Sequence, residues 1–328
     1  MIQLKDIWRH ALNQHDHFLI VGRVGMDLYP LPDGTKIEQA EQFKTDIGGS
    51  AGNIAVALVK AGEKAALLSC VSDDGVGDFV RHKMAHYGVD MSAVGIAGGT
   101  ARTSLALAET RASSPNVVIY RNGAADLYLD DTLINALDLD AVKAIIITGT
   151  ALSYQPALDQ LVRLCQKAQS AHIPIVLDVD YRPSAWESEA AAKEALVQLL
   201  PACDIIVGND DEFAVIAGGS AQDGYEAAKS LALKEQLVLY KKGEAGCEAF
   251  FKETSLSVGI FKVDIKKPFG AGDAFLGNLL TALAQDKTLQ EAITNGAAAA
   301  AYVVSRSGCA SAMPNKQQLA DFIANHHS

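Results

Sequence analysis

The 328-residue chain is short of aromatic residues, at 6%, and has only two tryptophans. Its five cysteines (Cys70, Cys165, Cys203, Cys247, Cys309) are odd in number, scattered and without a Cys-x-x-Cys pair. Neither a zinc ribbon nor a disulfide framework is therefore expected; buried thiols in a reducing cytosol are. Positive charge is scarce too, with 28 Lys and Arg against 39 Asp and Glu, a formal net charge of −11. That balance argues against nucleic acid and against anionic membranes as partners. A small anionic substrate would have to be met by local cations. No window reaches ~18 uninterrupted apolar residues, so no spanning helix is expected. Residues 1–16 are polar and lack the apolar centre of a signal peptide. The eight histidines show no metal-ligand spacing.

What the chain does have is Ala, Val, Ile and Leu in short runs. Strands are predicted at residues 17–22, 65–71, 144–149, 173–178, 204–208 and 236–240, with helices at 50–61, 75–87, 155–171 and 294–305. Short apolar strands alternating with amphipathic helices predict a mostly parallel sheet covered on both faces. Ligands in such folds gather beyond the carboxyl ends of the strands. Asp27, Asp178, Asp180, Asn209 and Glu212 are each expected just after a strand. Residues 28–46 and 95–121 break the rhythm with alternating, Thr-rich patterns, and predict a small antiparallel sheet beside the main body, a candidate lid. No repeat, low-complexity tract or linker interrupts the chain, so one domain over 1–328 is expected.

The most informative stretch is Pro268-Phe269-Gly270-Ala271-Gly272-Asp273, which runs into an apolar segment with helical spacing. A loop this small lets backbone N–H groups converge on an anion, and the helix behind it adds its positive end. A carboxylate at Asp273 would be unwelcome there unless it takes a proton from a hydroxyl attacking a phosphoryl group. The alternative is a glycine-softened turn with Asp273 as a helix cap.

Gly48-Gly49-Ser50-Ala51-Gly52-Asn53 and Gly270-Ala271-Gly272-Asp273-Ala274-Phe275 resemble the paired signatures of the ribokinase-like (PfkB) sugar kinases. Gly22-Arg23-Val24-Gly25-Met26-Asp27, Asn209-Asp210-Asp211-Glu212 and Lys242-Gly243-Glu244-Ala245-Gly246 fall in the same order as in that family. The likeness covers essentially the whole chain. It implies transfer of the γ-phosphoryl group of ATP, with Mg2+, to a sugar hydroxyl, on a three-layer α/β/α sandwich with a small β-sheet lid. Within the family, Gly25-Met26-Asp27-Leu28-Tyr29-Pro30, Tyr120-Arg121-Asn122-Gly123, Asp178-Val179-Asp180-Tyr181-Arg182-Pro183 and Lys267-Pro268-Phe269 are similar to the 5-dehydro-2-deoxygluconokinases of inositol breakdown. The Tyr-Arg and Asp-x-Asp-Tyr-Arg-Pro elements also resemble 2-keto-3-deoxygluconate kinases. A fructokinase-like or nucleoside kinase stands behind these, and a sugar-binding pseudokinase sensor is the alternative outside enzymes.

The resemblance implies roles residue by residue. Asp273 would be the general base, with Gly270, Ala271 and Gly272 supplying N–H groups to the phosphoryl oxygens. Asp27 and Asn53 would grip sugar hydroxyls over Gly48 and Gly49. Tyr120, Arg121, Asp180 and Arg182 would complete the sugar site, the two arginines holding the acid's carboxylate as bidentate forks. Arg23 and Arg102 are further candidates for that task. Asn209 and Glu212 would hold hydrated magnesium through water. Lys242, Gly243 and Gly246 would line the triphosphate, and Asn295 the adenine. Many relatives carry Asp-Thr-Thr before the glycine loop, where the Asp helps bind a monovalent cation. Here Lys267-Pro268-Phe269 stands in that place, and the Lys267 ammonium is expected to replace the cation. A homodimer through the outer face of the lid is the expected assembly.

Overall fold

The computed structural model describes Trp8, Leu12, residues 15–129 and residues 131–326. The expectation for residues 1–16 falls mostly outside them. In chain order the elements begin with β1 (His17–Val21), β2 (Gly25–Leu31), β3 (Gln42–Gly48), α1 (Ser50–Lys60), β4 (Lys64–Ser72), α2 (Gly75–Tyr87) and β5 (Val94–Ala97). There follow β6 (Leu105–Ala108), β7 (Val117–Tyr120), α3 (Asp131–Asn135), β8 (Val142–Thr148), α4 (Gln155–Ser170), β9 (Ile175–Asp178) and α5 (Glu189–Leu199). Then come β10 (Ile205–Asn209), α6 (Asp210–Ala217), α7 (Ala221–Leu233), β11 (Leu237–Lys241), β12 (Cys247–Phe251) and β13 (Thr254–Val258). The last helices are α8 (Ala271–Ala284), α9 (Leu289–Val304) and α10 (Lys316–His326).

Nine strands form one sheet in the order β13-β12-β11-β10-β9-β8-β1-β4-β5. Every pairing from β11 to β5 is parallel, and only β12 and β13 run antiparallel at one edge. Successive side chains of a strand point to opposite faces. Phe18 and Ile20 of β1 therefore enter one apolar core with α1, α8 and α9, while Leu19 and Val21 enter a second core with α4 to α7. A strand buried on both faces reads as an unbroken apolar run, which is how HFLIV appears in the sequence. These two cores on either side of one sheet are the three layers expected.

Small residues set the spacing on the first face. A Cβ at Gly277 of α8 would lie 2.6 Å from Ala57 Cβ of α1, and one at Gly296 of α9 would lie 2.9 Å from the Phe275 carbonyl oxygen. The alanine-rich face of α9 is thus a packing surface against α8.

The second sheet has the order β3-β2-β6-β7. It departs from the expectation in three respects. Its strands begin at residue 25 and end at 120, residues 94–97 pair with β4 in the main sheet instead, and β2 runs parallel to β6. The alternation of 94–97 resembles that of its neighbours, and only pairing decides which sheet it joins. Asp27 also lies inside β2 rather than after β1. The β12–β13 hairpin leaves little trace in the sequence, because Glu248, Glu253 and two serines dilute its apolar run.

Candidate active site

The carboxyl ends of β8 to β11 and the first turn of α8 meet at one place. Gly270, at the N-cap of α8, has φ +79°, a left-handed conformation that suits glycine. The N–H groups of a helix's first turn have no partner within the helix, so those of Ala271 and Gly272 are available to an anion. Asp273 lies in this turn, 8% exposed, and its Oδ2 accepts a hydrogen bond from Asn53 Nδ2 of α1 at 2.8 Å. Burial pushes its carboxyl up to about 6, and the charge of Asp180 adds to the rise. The Asn53 donor and the cations of Arg182 and Lys241 oppose it.

Three further carboxylates surround it. Asp178 ends β9 and is buried, which holds its carboxyl well above the usual range. Asp180, two residues on, has φ +35°, a strained backbone for a residue with a side chain. It is held there by Ser50 Oγ at 2.7 Å and Thr150 Oγ1 at 3.2 Å on Oδ2, and by Arg182 Nε at 3.1 Å on Oδ1. Glu212 is 6% exposed and forms a capping box with Asn209: Asn209 Oδ1 accepts from the Glu212 N–H at 2.9 Å, and Glu212 Oε2 from the Asn209 N–H at 2.7 Å. The Asn-x-x-Glu spacing is therefore first a helix start.

Lys241, the last residue of β11, answers these acids. Its Nζ is 3.9 Å from Asp178 Oδ1, and a Cβ on Gly272 would lie 3.4 Å from it. Burial lowers its affinity for a proton, but Glu212 and Asp178 more than compensate, so it stays charged. Lys242 faces the other way and pairs with Glu248 at 2.9 Å. The sequence motif points to Lys242, whereas the structure brings Lys241 to the glycine loop. Strand alternation sends adjacent lysines to opposite faces, and the end of β11 decides which one meets the loop.

Within β2, Asp27 is buried and its Oδ2 accepts from Tyr29 Oη at 3.0 Å. Burial raises its carboxyl while the Arg23 cation draws it down. A Cβ at Gly48 would fall 1.7 Å from Asp27 Oδ1, and one at Gly49 only 2.3 Å from the Arg23 carbonyl oxygen. Both glycines are required by these close approaches.

The remaining residues are less concentrated. Arg121 directs Nε to Asp126 Oδ2 at 2.9 Å and Nη1 to Ser153 Oγ at 3.1 Å, so its fork is already occupied. Tyr120 is 60% exposed at the end of β7, outside the cluster. Gly243 (φ +54°) opens onto empty space, whereas a Cβ at Gly246 would meet the Val258 carbonyl oxygen at 2.2 Å. Asn295 is half-buried in α9. Lys267 is wholly buried, and its Nζ donates to the Phe269 carbonyl oxygen at 2.6 Å, immediately behind Gly270, with Cys309 Sγ 3.7 Å away. Asp46, absent from the sequence reading, accepts from the N–H groups of Cys309 and Ser311 at 3.1 Å each and pins residues 309–311 beside this lysine. A cavity of about 360 Å³ lined by His172, Pro174, Asp204 and Gln236 lies at the opposite, amino ends of β9 to β11. Among the described residues no helix is long and apolar enough to cross a membrane.

The chain resembles known proteins over nearly its whole length. The family model described as pfkB family carbohydrate kinase matches residues 16–316. A protein from Photobacterium profundum named 5-dehydro-2-deoxygluconokinase is 36% identical over 310 residues, covering 93% of this chain and 94% of the relative. A protein of the same name from Lacticaseibacillus casei is 31% identical, again over 93% and 94%. Among solved structures, a putative ribokinase II from E. coli in complex with ATP and Mg2+ superposes with a TM-score of 0.83 at 20% identity, over 95% of this chain and all of the other. The glycine turns, the buried Asp273 carboxyl and the doubly covered sheet, together with these matches, identify the chain as a member of the pfkB family of carbohydrate kinases.

Proposed function

We propose that this kinase transfers the γ-phosphoryl group of ATP to the terminal hydroxyl of a sugar acid, 5-dehydro-2-deoxy-D-gluconate, giving its 6-phosphate. The observation that carries the proposal is the seat of Asp273: a buried carboxylate at the positive end of α8, with a carboxyl pushed up to about 6, near a working pH. The relatives' names supply the substrate. Asp273 takes the proton of the hydroxyl as its oxygen bonds to the γ-phosphorus; the bond to the β-phosphate bridging oxygen breaks, and ADP leaves. The N–H groups of Ala271 and Gly272 and the Lys241 ammonium stabilise charge on the phosphoryl oxygens.

Magnesium, when bound, neutralises triphosphate charge. Glu212 commits one oxygen to its capping box and has a second with which to hold a water of the hydrated ion, a donor set that suits a metal keeping most of its water. Asn209 positions Glu212, while Gly243 and Gly246 would border the triphosphate and Asn295 the adenine. Arg182 and Arg121 act through the carboxylates they pair with, Asp180 and Asp126. Lys267 takes the place of a monovalent cation behind the loop. The second sheet serves as a lid, excluding water from the phosphate. Its exposed Leu31, Phe43, Val117 and Tyr120 support a homodimer. The five buried thiols support a cytosolic setting.

The test is ADP release with a panel of acceptors under ATP and magnesium. The sugar acid should give the highest kcat/KM. Faster turnover of neutral hexoses would overturn the assignment.

A further inference from the structure

We infer that Arg23, in the loop between β1 and β2, is the residue that binds the substrate's carboxylate and so selects sugar acids over neutral sugars. This rests on the sugar-acid kinase reading above. The arginines favoured by sequence each already face a carboxylate. Arg121 closes its fork on Asp126 and Ser153, and Arg182 is 59% exposed with Nε on Asp180. Arg102 is 66% exposed and faces Asp74 at 3.7 Å.

Arg23 differs from all three. It is 9% exposed, its Nε donates to Ser104 Oγ at 2.8 Å, and its Nη2 is buried with no hydrogen-bond partner. A buried donor left unsatisfied on a charged group is costly, and more so than on a neutral one. Among the buried acceptors in the same condition, Asp27 Oδ1 and Asn53 Oδ1 lie near it. All three belong to one neighbourhood. A Cβ on Gly49 would lie 3.1 Å from Arg23 Cγ, one on Gly48 would strike Asp27 Oδ1, and Asn53 reaches Asp273.

Read as a mould, these atoms want two hydroxyl donors and one anionic acceptor. A hydroxylated chain ending in a carboxylate satisfies all of them. Its reactive hydroxyl lies at Asp273 and its acid end at Arg23, with Asn53 and Asp27 between. A neutral hexose leaves the guanidinium unpaired, and that omission is where discrimination arises.

The experiment compares the full-length protein with Arg23→Met, Arg23→Lys, Arg121→Met and Arg182→Met, using the sugar acid and the neutral analogue in which hydroxymethyl replaces the carboxylate. Arg23→Met should lower the acid-to-neutral ratio of kcat/KM by about 10- to 100-fold, mostly through KM for the acid. Arg23→Lys should recover part of the ratio, since it keeps the charge and loses the fork. Arg23→Met also takes a compensating charge from buried Asp27, so Arg23→Lys, which keeps that charge, serves as the control for folding. The inference is overturned if the ratio survives in Arg23→Met, if both substrates lose equally with a fall in melting temperature, or if Arg121→Met or Arg182→Met collapses the ratio instead. A wild-type enzyme that phosphorylates neutral sugars and no sugar acid sinks the underlying function, a result separable from all of these.

Discussion

Asn53 Nδ2 donates to Asp273 Oδ2 at 2.8 Å, joining the first turn of α1 to the first turn of α8 across 220 residues of sequence. The bond favours the ionised carboxylate and so works against burial, which raises the Asp273 carboxyl to about 6. Replacing Asn53 by Ala removes that brake. The acid limb of the kcat/KM profile should move to higher pH in the variant; an unmoved limb would mean that another group sets it.

With Asp273 as the proposed base, wild-type activity should fall as pH drops through about 6. Stability runs the opposite way. A carboxyl raised from 3.8 to about 6 favours the fold below pH 3.8, and that advantage is lost as pH rises through about 6. Asp273→Asn should therefore cost ~10³-fold or more in turnover. It should also melt higher than the wild type at pH 7 to 8, by roughly 3 kcal/mol in stability. The gap should shrink as pH is lowered toward 4. Full phosphate transfer by this variant would end the catalytic assignment.

Lys241 and Lys242 offer a paired control. Lys241 lies against Gly272 and the buried acids, whereas Lys242 is bound to Glu248. Lys241→Met should reduce kcat by about 100-fold, on the scale of losing one charge-stabilising donor. Lys242→Met removes a partly exposed ion pair and should alter kcat less than about 3-fold. Steady-state kinetics on both variants decide between them.

Lys267 makes a prediction about ions. Its ammonium sits on the Phe269 carbonyl behind the glycine loop, in wholly buried surroundings. Exchanging sodium for potassium at constant ionic strength should leave the wild-type rate unchanged. Lys267→Ala should lose most activity and regain part of it with potassium, but not with sodium. Strong potassium activation of the wild type would refute the substitution.

Burial pushes the Cys309 thiol up to about 11, and its Sγ lies 3.1 Å from Tyr29 Oη. The thiolate is the reactive form, so iodoacetamide at pH 8 should leave Cys309 unmodified in the folded protein, as read by peptide mass spectrometry. Rapid labelling would show that residues 309–311 open.

The alternation of apolar runs and helical patterns, Gly270-Ala271-Gly272-Asp273 and Gly48-Gly49 were legible because each is a local requirement. Strand burial demands Val, Ile and Leu in sequence, and a left-handed turn demands glycine wherever the chain goes next. The doubly covered sheet and the Asp273 loop could be read from them directly. Tertiary structure alone decided which of two neighbouring lysines faces the loop and which sheet residues 94–97 enter. It also decided which arginine stays unpaired: Arg121 and Arg182 read as forks in the sequence until Asp126 and Asp180 arrive beside them. Partnership between charges is a matter of distance through space, and no residue carries that distance in its own chemistry or its position along the chain.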